Sequence, residues 1–356
     1  MKSLNAHVVV MLMTILLVAC AHLDPQPIHE EKNAVYYWKT SFHLDQENRS
    51  FMEDHQVGRI YLRMFDVTSE QYAYSAEEKT VPNATVRIGE EDYRLLKDSL
   101  ASMEFVPVVY ITLDALKEMK GEETLLASLI VTRVRNMVQY NELPHVEELQ
   151  LDCDWTASTE SSFFQLCQAV KQCMADMQLP WRLSSTIRLH QLAGQVPPVD
   201  CGVLMLYNTG SFNDPDEPNS IIRLKHVEPY LKHLSSYPLH LDVAYPTYSW
   251  QLLFHRERQF IGLIQGLDLS DTTRFCHEKG NIYRARKDIP YHTSIIRMGS
   301  RIREEQSSYD EVAAVKRQVE IQLAGRNYST ILYHLDSHNL SNYSFDEIQS
   351  LYSVHH

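Results

Sequence analysis

The sequence has no excess of positive charge. Its 356 residues include 33 lysines and arginines against 46 aspartates and glutamates, so the formal net charge is −13. Proteins that bind nucleic acids usually carry a Lys/Arg-rich face or stripe, and no such run occurs in this chain. We therefore expect no nucleic-acid partner.

Sequence signals for cofactors and metal ions are also lacking. No glycine-rich turn follows the first predicted strand, so a dinucleotide site has no support. The six cysteines form no CxxC pair, and no His/Cys cluster has the spacing of zinc ligands. The five cysteines after position 20 are odd in number and widely spaced, which argues against a disulfide framework. The sequence thus predicts neither a cofactor nor a metal site.

Long hydrophobic runs are lacking after residue 20, where no stretch is apolar enough to span a bilayer. Near the start of the chain, an uncharged segment from Val8 to Val18 has the length of the hydrophobic region of a signal peptide. It ends in Leu17-Val18-Ala19-Cys20, which resembles the bacterial lipobox. The resemblance implies cleavage before Cys20 and attachment of a diacylglyceryl group to its thiol.

This motif divides the chain into three predicted parts. Residues 1–19 are a lipoprotein signal peptide, residues 20–32 are a tether, and residues 33–356 are the folded body. The prediction is a protein of the bacterial cell envelope held by a lipid anchor, in the outer membrane in preference to the inner. A secretory signal peptide with a chance cysteine and an uncleaved signal anchor are the alternatives.

Eight short segments of the body have the composition and length of strands, and helical patterns separate most of them. Strands are predicted at Ala34–Trp38, Arg59–Met64, Phe105–Ile111, Glu148–Asp154, Arg182–Ile187, Gly202–Tyr207, Leu239–Ala244 and Thr330–Leu335. Alternating strands and helices favour a parallel sheet with covered faces, and eight units favour closure over an open doubly wound sheet. The predicted fold class is therefore α/β, a (β/α)8 TIM barrel with a small insertion after strand 7, at about residues 250–303.

The alternation within these strands places polar groups inside the barrel. In the fourth strand, Leu149 and Leu151 share one face, while Asp152 and Asp154 share the other. The outward faces of barrel strands pack under helices, so the polar face points inward. We expect polar groups at strand ends to meet at the carboxyl-terminal mouth, where barrel enzymes build their active sites. These residues are Asp154, Arg188, Tyr207, Asp242 and Asp336. A fully hydrogen-bonded internal network is the structural alternative.

Three short motifs carry a family resemblance. The segment from Leu151 to Thr156 resembles the fourth-strand signature D-x-x-D-x-D-x-E of the family-18 glycosidases, which are chitinase-like barrels. Met205-Leu206-Tyr207-Asn208 is similar to the M-x-Y-[DN] of their sixth strand, and Tyr245-Pro246-Thr247-Tyr248 is similar to the end of their seventh. The resemblance implies a barrel with a small inserted α+β subdomain. The whole chain also resembles a family of bacterial barrel lipoproteins related to these enzymes.

The resemblance assigns roles to particular positions. In the family motif the final Glu is the general acid, the preceding Asp positions the N-acetyl group of the substrate, and the sixth-strand Tyr assists it. Asp152 and Asp154 match the two inner Asp residues and Tyr207 matches the Tyr, but Thr156 stands at the Glu position and Leu149 at that of the first Asp. A threonine hydroxyl cannot replace a carboxylic acid of raised pKa. The sequence therefore predicts that family-18 hydrolysis in its usual form is impaired.

Three functions remain open: an enzyme, a carbohydrate-binding protein, and a structural protein without a small ligand. One is a glycoside hydrolase with a relocated carboxylate pair drawn from Asp152, Asp154, Glu160 and Asp242, in which Asp154 is the preferred general acid. Another is a noncatalytic carbohydrate-binding lipoprotein, and the third is a structural envelope protein. The candidate catalytic residues are Asp152, Asp154, Tyr207 and Asp242, and the candidate substrate-binding residues are Arg63, Arg188, Asn208, Tyr245, Trp250 and Asp336.

Overall fold

A closed ring of eight parallel strands forms the centre of the computed structural model, which describes residues 30–69, 79–256 and 258–353. In chain order the barrel strands are Asn33–Tyr37, Val57–Ser69, Glu104–Ile111, Glu148–Asp152, Arg182–Arg188, Cys201–Met205, Leu241–Pro246 and Thr330–Tyr333. The first strand pairs with both the second and the eighth, which closes the ring. The predicted TIM barrel is confirmed. The predicted signal peptide and Cys20 lie outside the described residues.

Helices cover the outside of this barrel. Their bounds are Gln46–Asp54, Glu90–Lys97, Leu113–Glu118, Glu123–Tyr140, Glu160–Asp176, Leu224–Leu231, Tyr309–Gln322, Ser337–Leu340 and Phe345–Tyr352, with a 3-10 helix at Leu189–Ala193. Side chains at several helix starts accept hydrogen bonds from first-turn amides, as Thr112 does from Ala115 and Ser344 does from Glu347. None of the helices in the described ranges is both long and apolar enough to cross a membrane.

A second sheet lies between the seventh and eighth barrel strands along the chain. Its five antiparallel strands, in spatial order, are Phe260–Ile264, Ser249–Phe254, Arg301–Gln306, Ile282–Ala285 and Phe275–Lys279, and a separate pair is formed by Ile289–Tyr291 and Ser294–Ile296. A small hydrophobic core that includes Leu253, Phe275 and Ile302 stabilises it. The described part of this insertion contains strands and no helix, so the α+β character implied by the resemblance is wrong here.

Short strands also flank the barrel. Thr80–Asn83 pairs antiparallel with the carboxyl-terminal part of the second barrel strand, and Ser41–Phe42 pairs with Arg87–Ile88. The first of these pairings extends the second barrel strand beyond the barrel wall, which is why that strand reaches Ser69.

A buried group of charges occupies the amino-terminal end of the barrel interior. We call Arg59, Glu104, Glu148, Arg182 and Asp242 the basal ionic cluster. Arg59 Nε lies 2.9 Å from Glu104 Oε1, and Arg59 Nη1 lies 3.6 Å from Asp242 Oδ2. Arg182 Nη2 lies 4.0 Å from Glu104 Oε1 and 3.9 Å from Glu148 Oε2. Opposite charges therefore alternate across the floor of the barrel, where unpaired charges would be very costly.

Candidate functional site at the barrel mouth

One arginine holds two carboxylates at the opposite, carboxyl-terminal end of the barrel. Asp152 is the last residue of the fourth strand and Arg188 is the last residue of the fifth. Arg188 Nη2 lies 3.1 Å from Asp152 Oδ1, and Arg188 Nε pairs with Asp154 Oδ1. Thr186 Oγ1 also donates a hydrogen bond of 2.6 Å to Asp152 Oδ1. The guanidinium therefore bridges the two residues that match the family motif.

The two carboxylates lie in different environments. The Asp152 side chain is 4% exposed, whereas the Asp154 side chain is 48% exposed. Burial raises the pKa of Asp152 above its usual value, although Arg188 opposes this shift. Burial alone would lower the pKa of Arg188, but Asp152 and Asp154 raise it, so the guanidinium stays charged. Both carboxylates consequently have a permanent cation as their partner.

The position that the resemblance assigns to the general acid lies in a turn rich in hydroxyl groups. Thr156 is exposed, its amide donates to Thr159 Oγ1 at 2.9 Å, and its Oγ1 lies 3.0 Å from Ser158 Oγ. Glu160 begins the helix that follows this turn, and its Oε2 lies beside Gly194, where an added β-carbon would be 3.6 Å away. Thr156 thus lies in a short hydrogen-bonded turn between the fourth strand and the helix that begins at Glu160.

Five aromatic rings from separate segments form a continuous row, which we call the aromatic row. Trp38 follows the first strand, and its ring centroid is 5.8 Å from that of Tyr333 at the end of the eighth. The Tyr333 and Tyr207 rings are stacked, with centroids 4.3 Å apart and planes inclined by 26°. Tyr248 packs edge-on against Tyr207 at 6.3 Å and against Trp250 at 5.4 Å.

Several candidate binding residues lie along this row. The Arg63 guanidinium is 5.3 Å from the centroid of the Trp38 ring, and Arg63 Nε donates to Asp66 Oδ1 at 2.8 Å. The Tyr248 hydroxyl donates to Asn208 Oδ1 at 2.7 Å. Trp250 Nε1 donates to Glu305 Oε2 at 2.7 Å. The structure therefore brings Arg63, Asn208 and Trp250 to the same row of rings as Tyr207.

Tyr110, which the sequence did not single out, faces the same carboxylates. It lies in the third strand, next to the strand that ends at Asp152, and pairs with that residue in register. Burial, followed by the charges of Asp154 and Asp152, raises the pKa of Tyr110 to about 12. Its hydroxyl therefore stays protonated at neutral pH and is available as a donor.

Two candidates do not belong to the mouth. The seventh strand spans Leu241–Pro246, two residues later than predicted, because Tyr245 and Pro246 pair with Leu332 and Tyr333 of the eighth. Asp242 is then the second residue of its strand. Its Oδ1 accepts a hydrogen bond of 2.7 Å from the Ser329 amide, and its Oδ2 contacts Arg59, so it belongs to the basal ionic cluster. The placement of Asp242 beside Asp154 is wrong.

Tyr245 lies on the outer side of the seventh strand. It is fully buried, and burial raises the pKa of its hydroxyl, with Tyr328 and Glu320 of the outer layer as the nearest ionisable groups. Its outward orientation follows from the strict alternation of the strand, in which Asp242 points inward. The prediction that Tyr245 lines the mouth is therefore wrong.

Asp336 has a structural role at the rim. It caps the helix Ser337–Leu340 by accepting a hydrogen bond of 3.1 Å from the Asn339 amide, and its Oδ2 lies 2.8 Å from Lys39 Nζ. Burial alone would raise the pKa of Asp336, but Lys39 and the Asn339 amide outweigh burial and lower it. These partners fix the start of the loop that follows the eighth strand.

Neither a comparison with models of protein families nor a search of curated protein sequences found a match. Solved structures do match. The chain is similar to a chitinase from Chromobacterium violaceum, with a TM-score of 0.54 and 12% identity over 90% of this chain and 99% of that one. It is also similar to the spore cortex-lytic enzyme SleL of Bacillus cereus, with a TM-score of 0.51 and 10% identity over 90% of this chain and 75% of that one.

A third similar structure is the family-18 chitinase ChiB from the chitin utilization locus of Flavobacterium johnsoniae. Its TM-score is 0.50, at 8% identity over 91% of this chain and 94% of that one. Together these similarities establish the class of fold, an α/β TIM barrel of the kind that chitinases have. Within the described residues, no group of three or more His, Cys, Asp and Glu side chains is arranged to hold a metal ion.

Proposed function

We propose that the barrel mouth binds a neutral, chitin-type oligosaccharide without hydrolysing it. The observation that carries this proposal is the aromatic row, because sugar rings present apolar faces that pack on aromatic side chains while their hydroxyl groups bond to polar neighbours. The half-exposed Asp154, which pairs with Arg188, and the exposed Asn208, which bonds to Tyr248, provide acceptors at the mouth. A neutral ligand also agrees with the net charge of −13, which disfavours polyanions. Similarity to chitinases supports the choice of sugar.

The described residues at the end of the fourth strand support binding over hydrolysis. A glycosidase needs a carboxyl group that is protonated near neutral pH and can reach the glycosidic oxygen. Thr156 has no such group, and Asp154 is held by a charged arginine. Asp152 has a raised pKa, but its side chain is almost completely buried.

A hydrolase that uses the Asp152–Asp154 pair is the second candidate. The raised pKa of Asp152 favours this candidate, because a carboxyl group of raised pKa keeps the proton that a general acid donates. This candidate requires Arg188 to release one carboxylate when substrate binds.

Asp154→Asn separates the two functions. We expect the wild-type protein to bind N-acetylglucosamine oligomers on a glycan array and to release no product in a hydrolysis assay. The variant should bind within about tenfold of wild type, because a half-exposed acceptor contributes roughly 0.5–1.5 kcal/mol and tenfold corresponds to ~1.4 kcal/mol. Asp114→Asn, which changes an exposed aspartate in the helix Leu113–Glu118, is the matched control. Turnover by wild type that Asp154→Asn abolishes would establish the hydrolase instead.

We also propose that the protein is a lipoprotein of the bacterial cell envelope, in the outer membrane in preference to the inner. The support is the lipobox-like Leu17-Val18-Ala19-Cys20 after an apolar segment of signal-peptide length. A lipid on Cys20 would hold the barrel at a membrane surface through the tether of residues 20–32.

Cys20→Ser removes the thiol that would carry the lipid. We expect this variant to move from the membrane fraction to the soluble fraction, because a hydroxyl is not acylated by this route. Cys276→Ser, at a half-buried cysteine of the insertion, is the control and should stay with the membrane. Unchanged detergent partitioning of Cys20→Ser would count against the anchor.

A further inference from the structure

A groove with apolar walls lies on the outside of the barrel, along the helix Glu123–Tyr140. Its cavity of about 380 Å³ falls within the range of ~300–1,000 Å³ that is usual for small-molecule sites. Leu125 and Leu129 of the helix line it and are 51% and 53% exposed, unlike the buried leucines of the barrel. The other apolar walls include Phe65, Val81, Met119 and Ile130.

Arg133 stands at one end of this groove without an acidic partner. Its guanidinium lies 5.0 Å from the centroid of the Phe65 ring, and its Nη2 donates to Thr85 Oγ1 at 3.1 Å. Its Nε is buried and has no hydrogen-bond partner, and no carboxylate of the described residues pairs with the guanidinium. Burial lowers the pKa of Arg133, as expected for a cation that loses water and gains no counter-ion. The guanidinium therefore offers hydrogen-bond donors to an anion that reaches this end of the groove.

Polar side chains join the walls on the far side of Arg133. A second cavity of about 520 Å³ continues along the same helix and shares Leu129 and Arg133 with the first. Its walls include the polar side chains of Thr85, Ser128, Thr132 and Asn136. Hydroxyl and amide groups therefore lie near Arg133, together with the apolar side chains of Met137 and Tyr140.

We propose that this groove binds a free fatty acid, with its tail along Leu125 and Leu129 and its carboxylate on Arg133. Charge complementarity specifies the head, because a carboxylate forms its strongest hydrogen bonds with a guanidinium. The helix from Glu123 to Arg133 is about 15 Å long at 1.5 Å per residue, which suits one extended acyl tail. The volume of the first cavity, about 380 Å³, favours one chain over the two of a diacyl lipid. The groove is on the outer face of the barrel, so this inference stands apart from the sugar site.

Calorimetric titration of the full-length protein with dodecanoate, below the concentration at which it forms micelles, tests the proposal. We expect saturable binding by wild type and at least fivefold weaker binding by Arg133→Gln, which keeps a helix-forming side chain and removes the charge. Arg135→Gln is the matched control, because Arg135 lies on the same helix and contacts Met177 Sδ and Asn136 instead. Dodecanol, with the same tail and no charge, should bind equally to wild type and Arg133→Gln.

A second variant tests the apolar half of the groove. Leu129→Gln changes a side chain that is half exposed, so the fold should be retained, and it should weaken both dodecanoate and dodecanol. The proposal is overturned if wild type does not bind dodecanoate, if Arg133→Gln binds it as wild type does, or if Leu129→Gln has no effect. Binding only to phosphatidylcholine vesicles, or self-association through the groove that dodecanoate does not displace, would overturn it equally.

Discussion

Replacing Arg59 with methionine is expected to lower the free energy of unfolding by about 3–5 kcal/mol. Arg59 is completely buried in the second barrel strand and contacts carboxylates from the third and seventh strands, Glu104 and Asp242. Methionine can fill much of the same space, but it removes the buried cation that lies between Glu104 and Asp242 and leaves Glu104 with the more distant Lys32 and Arg182, at 3.4 and 4.0 Å. A buried charge that loses its partner costs far more than the pair contributes.

Urea denaturation measures this loss, and an exposed pair supplies the control. Arg94 Nη2 lies 3.2 Å from Glu90 Oε1 on a helix surface, and both side chains are largely in solvent. Arg94→Met should therefore change the free energy of unfolding by about 0–1 kcal/mol. If the two substitutions had similar effects, the carboxylates of the basal ionic cluster would have to be protonated or hydrated in the folded protein.

Replacing Trp38 with alanine is expected to weaken binding of an N-acetylglucosamine tetramer by about tenfold or more. Trp38 ends the aromatic row, and it also holds Arg63 over its ring and packs against Tyr36 at 5.9 Å. Loss of this ring removes an apolar surface on which a sugar face can pack. A tenfold loss of affinity corresponds to about 1.4 kcal/mol of binding free energy.

Trp181 provides a matched control for this substitution. It is also a half-buried tryptophan packed on the barrel core, but it directly precedes the fifth strand and so lies at the amino-terminal end. Trp181→Ala should leave the dissociation constant for the tetramer unchanged in a fluorescence titration. Equal losses in both variants would indicate a general effect on folding, and no loss in Trp38→Ala would remove the aromatic row from the binding site.

The barrel and its polar interior could be predicted because both depend on local alternation. The side chains of a strand point to opposite faces in turn, so Asp152 had to point opposite to Leu149 and Leu151 wherever the strand ended. The bridging of Asp152 and Asp154 by Arg188 agrees with the internal polar network that was the structural alternative, since all three residues lie on inward faces or strand ends.

The ends of strands and the combination of distant segments could not be predicted in the same way. Asp242 and Tyr245 were misplaced because pairing with the eighth strand, 87 residues further along the chain at Ala244 and Ile331, extends the seventh strand beyond its own apolar pattern. The aromatic row joins residues from four distant parts of the chain, and only the closed ring brings Trp38 beside Tyr333.

Helical spacing alone also could not separate buried from exposed leucines. Leu125, Leu126, Leu129 and Ile130 all fit one apolar pattern, yet the structure buries Leu126 and Ile130 and leaves the other two half exposed. The apolar face of this helix is wider than the part that packs on the barrel. Leu125 and Leu129, on the uncovered part, line the outer groove.

The basal ionic cluster makes the ring of strands sensitive to register. Its members come from five different strands, the second, third, fourth, fifth and seventh. A slip of one residue would turn a strand's charge out towards the helices, and a slip of two would keep it inside but carry it roughly 6.6 Å along the axis, at 3.3 Å per residue. Either shift would part ions that now lie as close as 2.9 Å. Apolar side chains alone would lose far less free energy in such a slip. The buried charges of the basal ionic cluster therefore favour one register of the barrel strands.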